Sequence, residues 1–159
     1  MLQDSDRAEK FERAVQVAQW YQRVFGDRYF IEIMNNGVDI QREAMEGAVA
    51  VSERLGIPLV ATSDTHYVTR DDAEAQDVLL CINTGKYRTD SSRMKMEGDG
   101  YYLRGPQEMY DCFPDHADAV SRSQEIADSV NLELELGKRH FPTYQLPEGK
   151  TAEQFLREL

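Results

Sequence analysis

Apolar positions recur at helical spacing early in the chain. Phe11, Ala14, Val15, Ala18 and Tyr21 fall on one face of a helix that ends near Gly26. Tyr29-Phe30-Ile31-Glu32-Ile33 is aromatic and β-branched, which predicts a strand. Asn35-Asn36-Gly37 supplies turn chemistry. From Ile40 to Leu55 a second helical face appears, with Ala44, Gly47, Ala48, Val51 and Leu55, and Gly56 sits where a left-handed C′ residue would stop it. Ile57 to Thr62 predicts the next strand. Alternating helices and strands with short connections are the pattern of parallel strands covered by helices, an α/β fold.

Thr69 followed by Asp72 predicts a capping box opening a helix that carries Val78, Leu79 and Ile82 and ends near Gly85. Residues 86–100 are polar and glycine-containing and predict a loop or irregular hairpin. "YYLRGPQEMYDCF" predicts a short strand and then a helix with Pro106 at its first position. Asp115 is placed to cap a longer helix through Val130, with Ala119, Val120, Ala127 and Val130 inward. Leu132-Glu133-Leu134-Glu135-Leu136 alternates with period two, as a half-exposed strand would. Residues 140–156 contain two prolines, a glycine and a new cap at Thr151 with Gln154 behind it, which predicts a linker into a further helix. The order opens with a helix rather than a strand and closes on a helix barely begun. That pattern predicts a chain cut at both ends.

With 159 residues the chain has the length of one domain or a piece of a larger one. No apolar run reaches the roughly 18 residues of a membrane span, and the N-terminus lacks the basic and apolar regions of a secretory signal. Cys81 and Cys112 are isolated, without zinc-like spacing. Two lone thiols fit the reducing cytoplasm better than a disulfide framework. The net charge of −11 repels phosphate backbones, and no basic stripe offsets it. Any main contact with nucleic acid is therefore expected on polypeptide other than this one.

Ser63-Asp64-Thr65-His66 ends the second predicted strand. Residues two apart on a strand share a face, about 6.5–7 Å apart. A carboxylate and an imidazole are common ligands of divalent metals, and sites form at the C-terminal ends of parallel strands. Asp64 and His66 are thus candidate metal ligands. The plainer alternative is an aspartate capping a turn beside a surface histidine. Two donors leave a coordination sphere of about four to six incomplete. His116, at a helix start, and His140, before a proline, read as structural or solvated. Glu32 interrupts an apolar strand and either faces the same site from the neighbouring strand, orients one of its ligands, or lies on a solvent-facing or ion-paired side. No phosphate-binding glycine loop and no nucleophile elbow occurs, and Cys81 reads as core rather than nucleophile.

Successive blocks carry a family resemblance: "FGDRYFIEI", "LGIPLVATSDTHYV", "DDAEAQDVLLCINTGK", "MEGDGYYLRGPQEMYDCFPDHADAV", "LELGKRHFPTYQLPEG" and "TAEQFLREL". In this order they resemble the polymerase-and-histidinol-phosphatase (PHP) domain of bacterial DNA polymerase III alpha subunits, over essentially the whole chain. The resemblance implies a partial, distorted (β/α)7 barrel truncated on its N-terminal side. It implies that residues 1–85 are C-terminal βα units of the barrel, 86–140 the end of the PHP domain, and 141–159 a linker with the first residues of the polymerase palm. Asp64 and His66 match the family's last metal-ligand pair, with Ser63 and Thr65 in place of the common Asn and Val. Glu32 matches an acid on the preceding strand, as a support rather than a ligand. The early histidine ligands and the palm's catalytic aspartates have no counterpart here. The implied function is a fragment of a replicative, DNA-directed DNA polymerase, inactive by itself and cytoplasmic. Zinc, manganese or magnesium would sit at the PHP site, and magnesium in the palm. DNA, deoxynucleoside triphosphates and other replisome subunits would be partners of the whole protein, and no membrane. In the intact protein the PHP site would be a metal-dependent 3′→5′ exonuclease, or else structural. A free-standing PHP phosphoesterase is the alternative. An incomplete barrel also predicts poor stability of the isolated chain.

Overall fold

The computed structural model describes residues 2–159. Helix α1 (Leu2–Phe25) passes through a 3₁₀ turn (Gly26–Arg28) into strand β1 (Ile31–Met34). Helix α2 (Asp39–Leu55) then leads to strand β2 (Leu59–Thr62). The two strands pair in parallel, with Ile31 opposite Leu59 and Met34 opposite Thr62. Both begin two residues later than the apolar runs suggest. The Ile31 N–H donates to the Pro58 carbonyl at 3.0 Å, and Pro58 itself has no N–H to offer a ladder. Gly56 ends α2 at φ 65°, a left-handed conformation that glycine adopts without a Cβ penalty. Its turn is locked by the Ser52 hydroxyl donating to the Ile57 carbonyl.

Strand alternation divides the sheet into two unlike faces. Ile31, Ile33, Leu59 and Ala61 are buried against Val15 and Ala18 of α1, Val51 of α2, Phe113, and Ala119 and Val120 of α5 (Ala117–Ser129). Burying a side chain such as Ile33 or Phe113 contributes about 1.5–3 kcal/mol. The other face carries Glu32, Met34, Val60 and Thr62, none of them fully buried. Helix α5 is also fastened to β2, because Arg122 donates to the Leu59 carbonyl at 2.7 Å. Ala14, Ala44 and Gly47, all on predicted apolar faces, line an open groove of about 740 Å³ between α1 and α2.

The Thr69 capping box forms as expected: its N–H donates to the Asp72 carboxylate at 2.8 Å, ahead of α3 (Ala73–Thr84). These hydrogen bonds hold the Asp72 carboxyl below its ordinary range. Cys81 is buried on α3, whereas Leu79 and Ile82 face outward. The polar stretch 86–100 is irregular, as expected, and it is anchored by Arg93. That guanidinium, only 4% exposed, grips both oxygens of Asp77 on α3. Pro106 opens α4 (Pro106–Cys112). The Thr151 cap accepts from the Gln154 N–H and opens α6 (Ala152–Glu158).

Several expectations are corrected. The alternating Leu132–Leu136 run forms no strand, because no neighbouring backbone is there to pair with it and all three leucines are exposed. Tyr101–Leu103 forms only a single parallel bridge, Tyr67 with Tyr102. His116, not Asp115, occupies the cap of α5. Ala127 and Val130 lie exposed, beyond the part of α5 that meets the sheet through Ala119, Val120 and Arg122. The described residues form a mixed α/β fold, mostly helical, and their two strands close no barrel. No helix among them is long and apolar enough to cross a membrane.

Candidate metal centre

Strands β1 and β2 run in the same direction, so their C-terminal ends share one rim. Beyond Thr62 the backbone turns tightly: the Thr65 N–H donates to the Ser63 carbonyl at 2.6 Å, a three-residue turn centred on Asp64. This turn brings the side chains of Asp64 and His66 together. His66 Nδ1 lies 3.6 Å from the Asp64 carboxylate and 2.8 Å from the Asp64 carbonyl oxygen. A carbonyl oxygen can only accept, so Nδ1 carries the proton in that bond. In the neutral ring Nε2 then holds the free lone pair, which is the form a metal ligand needs. The two side chains are 48% and 38% exposed, open enough for an ion to reach.

A second segment braces the turn. The Tyr101 carbonyl accepts from the His66 N–H at 2.8 Å and from the Tyr67 N–H at 3.3 Å. The Tyr101 ring meets the His66 ring edge-on, with centroids 5.7 Å apart. Burial raises the Tyr101 phenol pKa, and the nearby Asp64 charge adds to that. Gly100 lies against the end of β1: its carbonyl accepts from Asn36 Nδ2 at 2.8 Å and from Arg104 at 3.0 Å. Arg104 also donates to the Asn35 carbonyl at 2.7 Å. A Cβ on Gly100 would sit 2.2 Å from the Asn36 carbonyl oxygen, so only glycine fits. Residues 100–104 thus join the ends of both strands.

Glu32 is exposed on the open face of the sheet and accepts a 2.7 Å hydrogen bond from the Thr62 hydroxyl, two residues before Asp64. His116 is half-buried at the α5 cap and His140 is exposed. Neither joins Asp64 and His66. Sequence patterns marked Asn36 only as turn chemistry and Tyr101 only as part of a short strand, and they did not single out Gly100 or Arg104.

Among the described residues no group of three or more His, Cys, Asp or Glu side chains is placed to hold a metal ion. The donor types of Asp64 and His66 suit a borderline or hard divalent cation, and they supply two positions of its coordination sphere.

Comparison with curated proteins decides the relationship. The chain is 35% identical over 143 residues to the DNA polymerase III subunit alpha of Pseudomonas fluorescens, which covers 90% of this chain. It is 37% identical over 138 residues to that of Campylobacter jejuni, and 44% over 104 residues to that of Saccharopolyspora erythraea. The chain is homologous to one segment of bacterial DNA polymerase III alpha subunits. That segment is a small part of those polymerases: the chain spans about 12% of the length of the Pseudomonas and Campylobacter proteins. For the Saccharopolyspora subunit the match covers 65% of this chain and 9% of the polymerase. No protein-family model matches the chain.

Proposed function

We propose that this chain serves as a segment of a replicative DNA polymerase alpha subunit and carries two ligands of a PHP-type metal site. The single observation behind the ligand assignment is the convergence of Asp64 and His66 at the rim of β2, with Nε2 of His66 left free. In this reading residues 1–85 are the last βα units of a PHP barrel. Residues 86–140 complete that domain, and 141–159 lead into the palm. The open face bearing Glu32 and Thr62 is the part that the rest of the barrel covers. DNA, deoxynucleoside triphosphates and replisome subunits are partners of the whole polymerase, not of this acidic surface.

Zinc, manganese or magnesium at the site would supply Lewis-acid activation of water against a phosphodiester. The chain's own residues have simpler tasks. Asp64 supplies a negative oxygen donor. His66 supplies Nε2 while its Nδ1–H donates to the Asp64 carbonyl. Glu32 anchors the end of β2 through Thr62. The remaining donors belong to other polypeptide.

The test is a chimaera in which this chain replaces the matching segment of the Pseudomonas fluorescens subunit. Retained primer extension supports the segment assignment. Asp64→Ala and His66→Ala in that chimaera should each lower bound metal per polymerase without abolishing primer extension. Unchanged metal stoichiometry removes the ligand claim. Loss of metal together with unchanged removal of a 3′-mismatched nucleotide favours a structural site.

A further inference from the structure

We propose that Tyr101 is the positioning residue of the Asp64–His66 pair, holding the His66 ring so that Nδ1 stays on the Asp64 carbonyl and Nε2 faces outward. Its importance for metal rests on the reading above, but its geometry stands without a metal.

An imidazole half open to solvent has no intrinsic reason to keep one orientation, because rotation about its side-chain bonds costs little and water competes for both nitrogens. Two contacts from Tyr101 remove that freedom. Its carbonyl fixes the His66 backbone at 2.8 Å. Its ring, on a residue only 8% exposed, lies at 89° to the imidazole and blocks one side. The ring edge-to-face contact is of the favourable aromatic kind. Tyr101 can act as a rigid wall because the residues around it are fixed. Gly100 is held by Asn36 and Arg104, and the Leu103 N–H donates to the Tyr67 carbonyl at 3.0 Å. The wall comes from a segment more than thirty residues downstream of the strand it serves.

The arrangement predicts a tautomer. Free neutral imidazole of histidine favours the proton on Nε2, whereas the Asp64 carbonyl requires it on Nδ1. Nitrogen-15 shifts of His66, read in the full 159-residue chain at a pH where the ring is neutral, report this directly. The wild type should show His66 mainly as the Nδ1–H form. Tyr101→Leu should move it toward the free-histidine mixture, while Tyr101→Phe, which keeps the ring, should leave it unchanged. The second readout is zinc affinity in the chimaera described above, which should fall about tenfold in Tyr101→Leu and stay within twofold in Tyr101→Phe.

A wild-type His66 in the Nε2–H form overturns the proposal, and so does an unchanged tautomer in a folded Tyr101→Leu chain. If that variant does not fold, the wild type decides: absence of cross-relaxation between the Tyr101 and His66 ring protons overturns the proposal, and its presence with the Nδ1–H form supports it. A wild-type chimaera that binds no zinc, with the tautomer change intact in the 159-residue chain, removes the metal reading and leaves the positioning role standing.

Discussion

The Thr62 hydroxyl donates to the Glu32 carboxylate across 2.7 Å, linking the two strands on the face that the helices leave open. The bond pins the last residue of β2, immediately before the turn that sets Asp64 and His66. Thr62→Val removes the donor while keeping the side chain's shape. It should cost about 1 kcal/mol or less, because both partners are solvated. At the proposed Asp64–His66 metal site, zinc affinity in the chimaera should drop by up to about tenfold. Urea unfolding and zinc titration, run in parallel, separate the two effects. A large stability loss with unaltered affinity would make Glu32 purely structural.

Gly100→Ala places a methyl group against the Asn36 carbonyl oxygen, and backbone cannot move aside cheaply. The expected loss is about 1–3 kcal/mol, seen as a lower urea midpoint. Alanine at the exposed Gly98 meets no such atom. Its left-handed φ of 77° makes it a control for strain without collision. Two variants of equal stability would mean that the close approach to Asn36 is not maintained in solution.

Hydrogen bonds from Arg93 hold the Asp77 carboxyl below its ordinary value. A depressed folded-state pKa contributes stability that is present above the unfolded value, about 3.9, and is lost as pH falls through the folded value. The wild type should therefore exceed Asp77→Asn in stability at pH 6, with the gap closing below about pH 4. Urea midpoints measured from pH 6 down to pH 3 check this. A gap that widens on acidification contradicts the ion pair.

Leu134→Ser distinguishes the alternating pattern from the observed chain. As the apolar side of a strand Leu134 would be costly to replace, but it is exposed here. The change should stay within about 0.5 kcal/mol. A loss of several times that would restore the strand.

Local signals in the sequence were reliable where a residue's own chemistry decides the conformation. Gly56 at its left-handed turn, the Thr69–Asp72 and Thr151–Gln154 boxes and Pro106 at a helix start all sit where their pattern placed them. The convergence of Asp64 and His66 was legible too, because side chains two residues apart at a strand end share a face. The brace around them was not. Each hydrogen bond of Gly100, Tyr101 and Arg104 to Asn35, Asn36, His66 and Tyr67 has a backbone group on at least one side, and a backbone partner leaves no mark on residue type beyond an isolated glycine. The Leu132–Leu136 pattern failed for the converse reason. Period-two alternation states a preference, but a strand also needs a partner, and none of the described backbone offers one.

The contact between Asn36 and Gly100 spans 64 positions of the chain. Closing so long a loop is entropically costly until the intervening βα unit has already brought its ends near. The rim carrying Asp64 and His66 should accordingly assemble after the α1–β1–α2–β2 core and reopen before it. Amide hydrogens at His66, Tyr67 and Leu103 would then exchange with solvent sooner than those of Ile31 and Ile33.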